Sequence, residues 1–132
     1  MNPKSNPEFS RDLLKASIEK IGGPDALERV LNDFYKTLSL DILVGFFFTG
    51  KDLTKIAHQQ AHFILKSVGL GQYKGLHPKD AHLKIAPILK GHFDRRLRVL
   101  EDHLRKTGLS EDEIRNWVGF ENAFRNVVET KI

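Results

Sequence analysis

The chain has 132 residues, of which 40% are hydrophobic and 29% are charged. We expect a single domain with one core, because a chain of this length buries roughly two-thirds of its unfolded surface. The composition is too hydrophobic for a disordered chain, and the longest apolar stretch, residues 42–48, is too short to span a membrane. The net charge of +4 is scattered along the chain, which argues against a nucleic-acid partner.

The absence of cysteine limits the chemistry further. It excludes disulfides, thiolate catalysis, iron–sulfur clusters and cysteine-based zinc sites, and it leaves six histidines as the main metal ligands. Residues 1–12 carry two prolines and several polar groups where a signal peptide needs an apolar segment. We therefore expect a cytoplasmic protein.

Apolar residues recur with a helical period along the chain, and no convincing strand pattern is found, so we predict an all-α fold. Residues 1–11 are predicted to form a flexible arm, and residues 12–132 one domain. Ser10 is a suitable cap for a first helix that Gly22 and Gly23 end, and Pro24 opens a second. The apolar stripe of the second helix comprises Leu27, Val30, Leu31, Phe34 and Leu38.

Two polar side chains are unusual for such helices. Tyr35 lies on the edge of the second stripe, and Gln60 lies in the middle of the apolar face of a third helix that begins near Asp52. Each needs a partner, because an unpaired buried polar group costs about 1–3 kcal/mol. Taken alone, each is interpreted as a satisfied core residue. The predicted face around Gln60 consists of Leu53, Ile56, Ala57, Phe63, Ile64 and Val68.

Three more helices are predicted after a glycine-containing loop. The first is a brief helix from Pro78 to Ile85, and the second is a longer one on which Phe93 begins an apolar stripe. The last begins at Ser110, with Glu113 completing a capping box.

Residues from Gly22 to about Leu104 together resemble a truncated haemoglobin, the short branch of the globin family. The motifs that carry the resemblance are Gly22-Gly23, Asp33-Phe34-Tyr35, Phe47-Phe48-Thr49-Gly50, Gln60 with Phe63, Tyr73-Lys74-Gly75, Ala81-His82 and His92-Phe93-Asp94. The resemblance implies a globin-like, two-on-two helical sandwich that holds haem b, and it is closest to the subgroup with a distal Tyr and Gln.

The resemblance also implies roles for individual residues. His82 stands where the family has its proximal iron ligand, and Phe48 stands where an aromatic ring stacks on the porphyrin. Tyr35 and Gln60 match the distal pair that hydrogen-bonds the ligand at the iron, and Ile56 replaces the distal histidine of vertebrate globins. The residues expected to contact the cofactor are Phe48, Lys55, Ile56, Phe63, Phe93 and Arg96.

Other histidines leave alternatives open. A register slip of one residue would bring His58 towards the iron as a second axial ligand, although helical geometry places His58 and His62 on the solvent side. The two are four residues apart, as in a zinc pair, but Gln59 stands where the zinc-protease motif needs Glu. His77 is the fallback proximal ligand.

The cation Arg96 departs from the family pattern, which commonly has an aliphatic residue or Trp there. We favour an ordinary surface cation whose stem lies along the helix, with a contact to a haem propionate or to the pocket as the alternative. Lys51 and Lys55 are further candidates for the propionates.

The function implied by the resemblance is binding of dioxygen, nitric oxide or carbon monoxide at haem iron by a monomer or weak homodimer. Nitric oxide dioxygenation with an external reductase, or a peroxidase-like activity, would be the enzymatic form of this function. Two other classes remain open: a gas sensor or partner-binding module, and a globin-fold protein that has lost haem. No nucleic acid or membrane partner is expected.

Overall fold

The computed structural model describes residues 9–70 and 89–124. This part of the chain is helical and contains no strand. Its elements are α1 (Arg11–Ile21), α2 (Pro24–Ser39), a 3₁₀ turn (Gly45–Phe48), α3 (Leu53–Ser67), α4 (Lys90–Arg105) and α5 (Glu111–Asn122). The predicted all-α class is confirmed.

Local sequence signals set the helix ends. The Ser10 hydroxyl oxygen accepts a hydrogen bond from the backbone N–H of Leu13 at 3.2 Å and so caps α1. Gly22, with a φ of 125°, ends that helix in a conformation that other residues rarely adopt. At α5, Ser110 and Glu113 form the predicted capping box. The cap positions predicted at Ser10, Gly22 and Ser110 are confirmed.

The helix α2 is central to the packing. It packs most extensively on α3 and also contacts α1 and α4, while α4 packs on α5. The α2–α3 pair against the α4–α5 pair gives the two layers of the predicted sandwich. The largest fully buried side chains are Trp117, Phe34, Phe120, Leu14, Ile18, Leu27, Leu31, Leu38, Ile64, Leu100, Leu104 and Ile114.

The predicted face of α3 is confirmed in part. Ala57 and Ile64 are buried in the core, together with Ala61 and Leu65, while Ile56, Phe63 and Val68 are half-buried against it. Gln60 is half-buried at the margin of the buried face and not at its centre. The small residues Ala57 and Ala61 are buried on the helix that packs most extensively on α2.

Residues 9–11, predicted to belong to the arm, are part of the folded helical structure. Arg11 is the first residue of α1. The backbone N–H of Ser10 donates to Oδ1 of Asn116 at 2.5 Å, and its carbonyl accepts from Nδ2 of the same side chain at 2.9 Å. The ring of Phe9 packs edge-on against Phe120 at 5.4 Å. Residues 1–8 lie outside the described part.

Several predicted features also lie outside the described residues. They are the brief helix at 78–85, the glycine loop beyond Leu70, the proximal candidates His82 and His77, and the chain beyond Phe124. In the described residues, no helix has the length and apolar character needed to cross a membrane.

Candidate functional site

The structure brings together Tyr35 and Phe48, two residues predicted for the site. Tyr35 projects from α2 and is only 6% exposed. Its ring centroid lies 5.8 Å from that of Phe48 in an edge-on contact, and 5.0 Å from that of Phe34. The aromatic rings fix the tyrosine on its apolar sides, and they leave its hydroxyl group to be satisfied by polar partners.

Arg96 supplies such a partner, and it is not the outward surface cation that was favoured from the sequence. Its side chain is 20% exposed. The Nη1 group donates to Oε2 of Glu121 at 2.9 Å, and Nη2 donates to the Tyr35 hydroxyl oxygen at 3.3 Å. The guanidinium also lies 5.2 Å from the ring centroid of Phe34. The expectation of a solvated cation is wrong because a buried carboxylate on α5 draws the side chain inward.

Arg96 stays positively charged in this setting. Burial acts to lower the pKa of Arg96, but the charge of Glu121 raises it, as do the hydrogen bonds to Tyr35 and Glu121, and the net direction is upward. The guanidinium therefore stays protonated at every physiological pH. It is a permanent set of hydrogen-bond donors beside the tyrosine.

Glu121 is the site residue that sequence reasoning missed. Its side chain is 5% exposed. Oε1 of Glu121 and Nε1 of Trp117, one helical turn earlier, are buried and have no hydrogen-bond partner in the described structure. The sequence held one signal: Glu121 follows Phe120 and lies four residues after Trp117, so it belongs to the apolar side of α5.

The α3 candidates form a half-buried strip. Ile56, Gln60 and Phe63 follow one another at helical spacing, and each is half-buried. Phe63 contacts Phe124 at a centroid distance of 5.2 Å. Within residues 9–70 and 89–124, the Gln60 side chain makes no hydrogen bond. The strip thus combines apolar surface with one amide that has no partner in the described part of the chain.

Two further cofactor candidates are Phe93 and Lys55. Phe93, on α4, is buried, and Lys55, near the start of α3, is exposed. His92 accepts a hydrogen bond from the backbone N–H of Leu89 at 3.0 Å. The His92 ring rests against Phe47, with the centroids 5.1 Å apart. These contacts tie the start of α4 to the 3₁₀ turn that carries Phe48.

His58 and His62 occupy the surface between α2 and α3. Their ring centroids lie 4.2 Å apart with the planes tilted by 41°, and Nδ1 of His58 contacts a carboxylate oxygen of Glu28 on α2. His62 and Glu28 line a cleft of about 340 Å³. No group of three or more His, Asp or Glu side chains suited to a metal ion occurs among the described residues. The zinc alternative therefore gains no support from this part of the chain.

Comparison with known proteins identifies the class. The family described as bacterial-like globin matches residues 17–130. The match covers well over half of the chain, so the chain belongs to the bacterial-like globin family.

Individual relatives narrow this class to the truncated haemoglobins. A group 1 truncated haemoglobin of Synechocystis is 32% identical over 100 residues, covering 73% of this chain and 81% of the relative. One from Chlamydomonas moewusii is 30% identical over 97 residues, covering 72% of this chain but only 57% of that longer protein. The crystal structure of the Tetrahymena pyriformis truncated haemoglobin, in its Fe(III) form, superposes with a TM-score of 0.76 at 27% identity, covering 87% of this chain and 98% of that one. The predicted family and the two-on-two globin fold are confirmed.

Truncated globins bind haem and small gas ligands, and haem is the cofactor of this family. The described residues fit such a group. Half-buried apolar side chains of Phe48, Ile56 and Phe63 offer a surface for a flat porphyrin. A tyrosine hydroxyl and a glutamine amide offer hydrogen bonds without net charge.

Proposed function

We propose that this chain binds haem through His82 and holds a diatomic gas, dioxygen first, with Tyr35 and Gln60. The observation that carries the proposal is that Tyr35 and Gln60 each place a polar group beside a half-buried aromatic ring, Phe48 for Tyr35 and Phe63, one turn along α3, for Gln60. In the described structure the Tyr35 hydroxyl accepts from Arg96 but donates to nothing, and the Gln60 amide has no partner. Such groups are costly in a plain helical core and useful beside a polar ligand.

Haem supplies an iron atom with an open coordination position for the gas. The chain supplies the surroundings of that position. His82 is assigned to the iron through one ring nitrogen, as the family resemblance implies. Phe48, Ile56 and Phe63 pack against the porphyrin and exclude water, which strengthens every hydrogen bond made inside the pocket. Phe93, Lys55 and Arg96 remain candidates for cofactor contacts.

Tyr35 and Gln60 act on the gas. The Tyr35 hydroxyl group and the Gln60 amide N–H would donate hydrogen bonds to a gas ligand with partial negative charge held at this site. A hydrogen bond to such a group contributes about 1.5–3 kcal/mol, equivalent to roughly 10- to 150-fold in affinity. Nitric oxide and carbon monoxide fit the same position. Nitric oxide dioxygenation would need an external reductase.

Dioxygen dissociation from the ferrous protein tests the distal assignment. We expect Tyr35→Phe and Gln60→Leu each to raise the dissociation rate constant by about 10-fold or more, since each removes one donor. Gln59→Leu, the same change at the exposed neighbouring residue, is the matched control and should leave the rate constant unchanged. If Tyr35→Phe and Gln60→Leu behaved like Gln59→Leu, the assignment would be wrong.

The proposal places the protein in the cytoplasm as a monomer or weak homodimer. A gas sensor or partner-binding module is the second candidate. The observation that favours it is a group of exposed apolar side chains before and within the 3₁₀ turn: Leu40, Ile42, Leu43 and Phe46. A ligand-dependent change in the sedimentation coefficient would favour it, and a constant coefficient would count against it.

A further inference from the structure

The buried guanidinium of Arg96 connects two helices through one side chain. One nitrogen, Nη1, donates to Glu121 on α5, and the other, Nη2, donates to Tyr35 on α2. An arginine side chain has only donors and no acceptor. The Tyr35 oxygen therefore accepts from Arg96, and its own proton cannot be directed at the guanidinium.

The Arg96 contact leaves the tyrosine proton to another acceptor. A phenol hydroxyl carries one proton and turns it towards the best available acceptor. No acceptor for it is found among residues 9–70 and 89–124. The adjacent ring of Phe48, 5.8 Å away between centroids, is the residue expected to stack on haem. The described residues thus leave the Tyr35 proton available to a ligand that would bind beside Phe48.

Glu121 holds the donor in place and is itself kept from the tyrosine. Its Oε2 is occupied by Arg96 at 2.9 Å. The same guanidinium donates to both groups, so it lies between the Glu121 carboxylate and the Tyr35 hydroxyl group.

We propose that Arg96, anchored by Glu121, is a positioning residue that directs the Tyr35 hydroxyl proton towards the distal ligand of haem. The inference rests on the proposed function, because it needs a ligand for that proton. A donor that polarises the hydroxyl oxygen also strengthens the bond that the hydroxyl group itself donates. Arg96 thus acts through Tyr35 and needs no contact with the gas.

Carbon monoxide is the probe, because a hydrogen bond donated to bound carbon monoxide lowers its C–O stretching frequency in the infrared spectrum. The test variant is Arg96→Met combined with Glu121→Leu, which removes both charges together so that no buried carboxylate is left unpaired. Circular dichroism and thermal melting verify that the variant is folded. Each form is measured with Tyr35 and again with Tyr35→Phe.

With Tyr35 present, we expect the double variant to shift the C–O band upward and broaden it, towards the position found for Tyr35→Phe. The dioxygen dissociation rate constant should rise by about fivefold, as for a typical lost hydrogen bond. In the Tyr35→Phe background, the same double variant should cause no further change. Arg98→Met, the same substitution at an exposed arginine of α4 whose partner Asp102 is also exposed, is the matched control and should leave the band in place.

Four results would overturn the inference. An equal shift in both backgrounds would mean that Arg96 does not act through Tyr35, and an equal shift in Arg98→Met would mean a general loosening of α4. If the band shifted for Tyr35→Phe but not for the double variant, Arg96 would have no role in positioning the hydroxyl group. The proposed function would still stand. Failure of the parent protein to bind carbon monoxide would overturn the proposed function itself, and the inference with it.

Discussion

Replacement of Arg96 alone by methionine should be among the most damaging single changes in the described structure. Among the described residues, Arg96 is the only cation that pairs with Glu121, and its replacement leaves that carboxylate, with a side chain 5% exposed, without any partner there. Breaking a buried ion pair in this way costs about 3–5 kcal/mol. That is a large share of the roughly 5–15 kcal/mol by which domains are stable.

Urea unfolding of the haem-loaded protein, followed by circular dichroism, measures the loss. We expect Arg96→Met to lower the unfolding free energy by about 3–5 kcal/mol, and Arg96→Met with Glu121→Leu to recover most of it. Arg98→Met removes an exposed cation from the same helix and should change stability by less than about 0.5 kcal/mol. If Arg96→Met and Arg98→Met were equally stable, the buried pair would not contribute as described.

Two further predictions concern the scaffold. A hydrogen bond from Lys20 lowers the pKa of Glu113 from its usual 4.5 to about 2, so this carboxylate stabilises the fold above pH 4.5 and loses that effect as the pH falls towards 2. Glu113→Gln, which can still close the capping box, should therefore reduce the loss of stability over that pH range; an unchanged urea midpoint profile would contradict this. A Cβ at Gly45 would lie 2.7 Å from a backbone carbonyl oxygen at the end of α2, so Gly45→Ala should lower the unfolding free energy by about 1–3 kcal/mol. At Gly91, nothing lies within 4 Å of such a Cβ. Gly91→Ala should therefore raise the unfolding free energy by about 0.5–1 kcal/mol. Thermal melting that failed to separate these two alanine variants would refute the steric argument.

The helix ends could be predicted from the sequence because their causes are local. Ser10, Asp52 and Ser110 each cap a helix through a side chain that bonds a backbone N–H three residues later. Gly22 ends α1 because it adopts a positive φ. The family could be predicted from the order of the motifs, and its confirmation rests on the comparisons.

The pairing of Arg96 with Glu121 could not be predicted because its cause is not local. The two residues are 25 positions apart on different helices. Helical periodicity describes one helix at a time and carries no information on contacts between helices. From the sequence, Arg96 is therefore interpreted as one of a run of solvated arginines on α4. The position of Gln60 was missed for a related reason: the close approach of α2 to Ala57 and Ala61, and not the hydrophobicity of single residues, sets which side of α3 is buried.

The absorption spectrum of the purified protein after addition of haem tests the central claim most directly. We predict that the parent protein shows a strong Soret band and that its ferrous form binds carbon monoxide. His82→Ala should abolish tight haem uptake. His82→Ala removes only the proposed iron ligand, and Gln59→Leu serves as a folded surface control. A parent protein that takes up no haem, or a His82→Ala variant with unchanged iron ligation, would contradict the account.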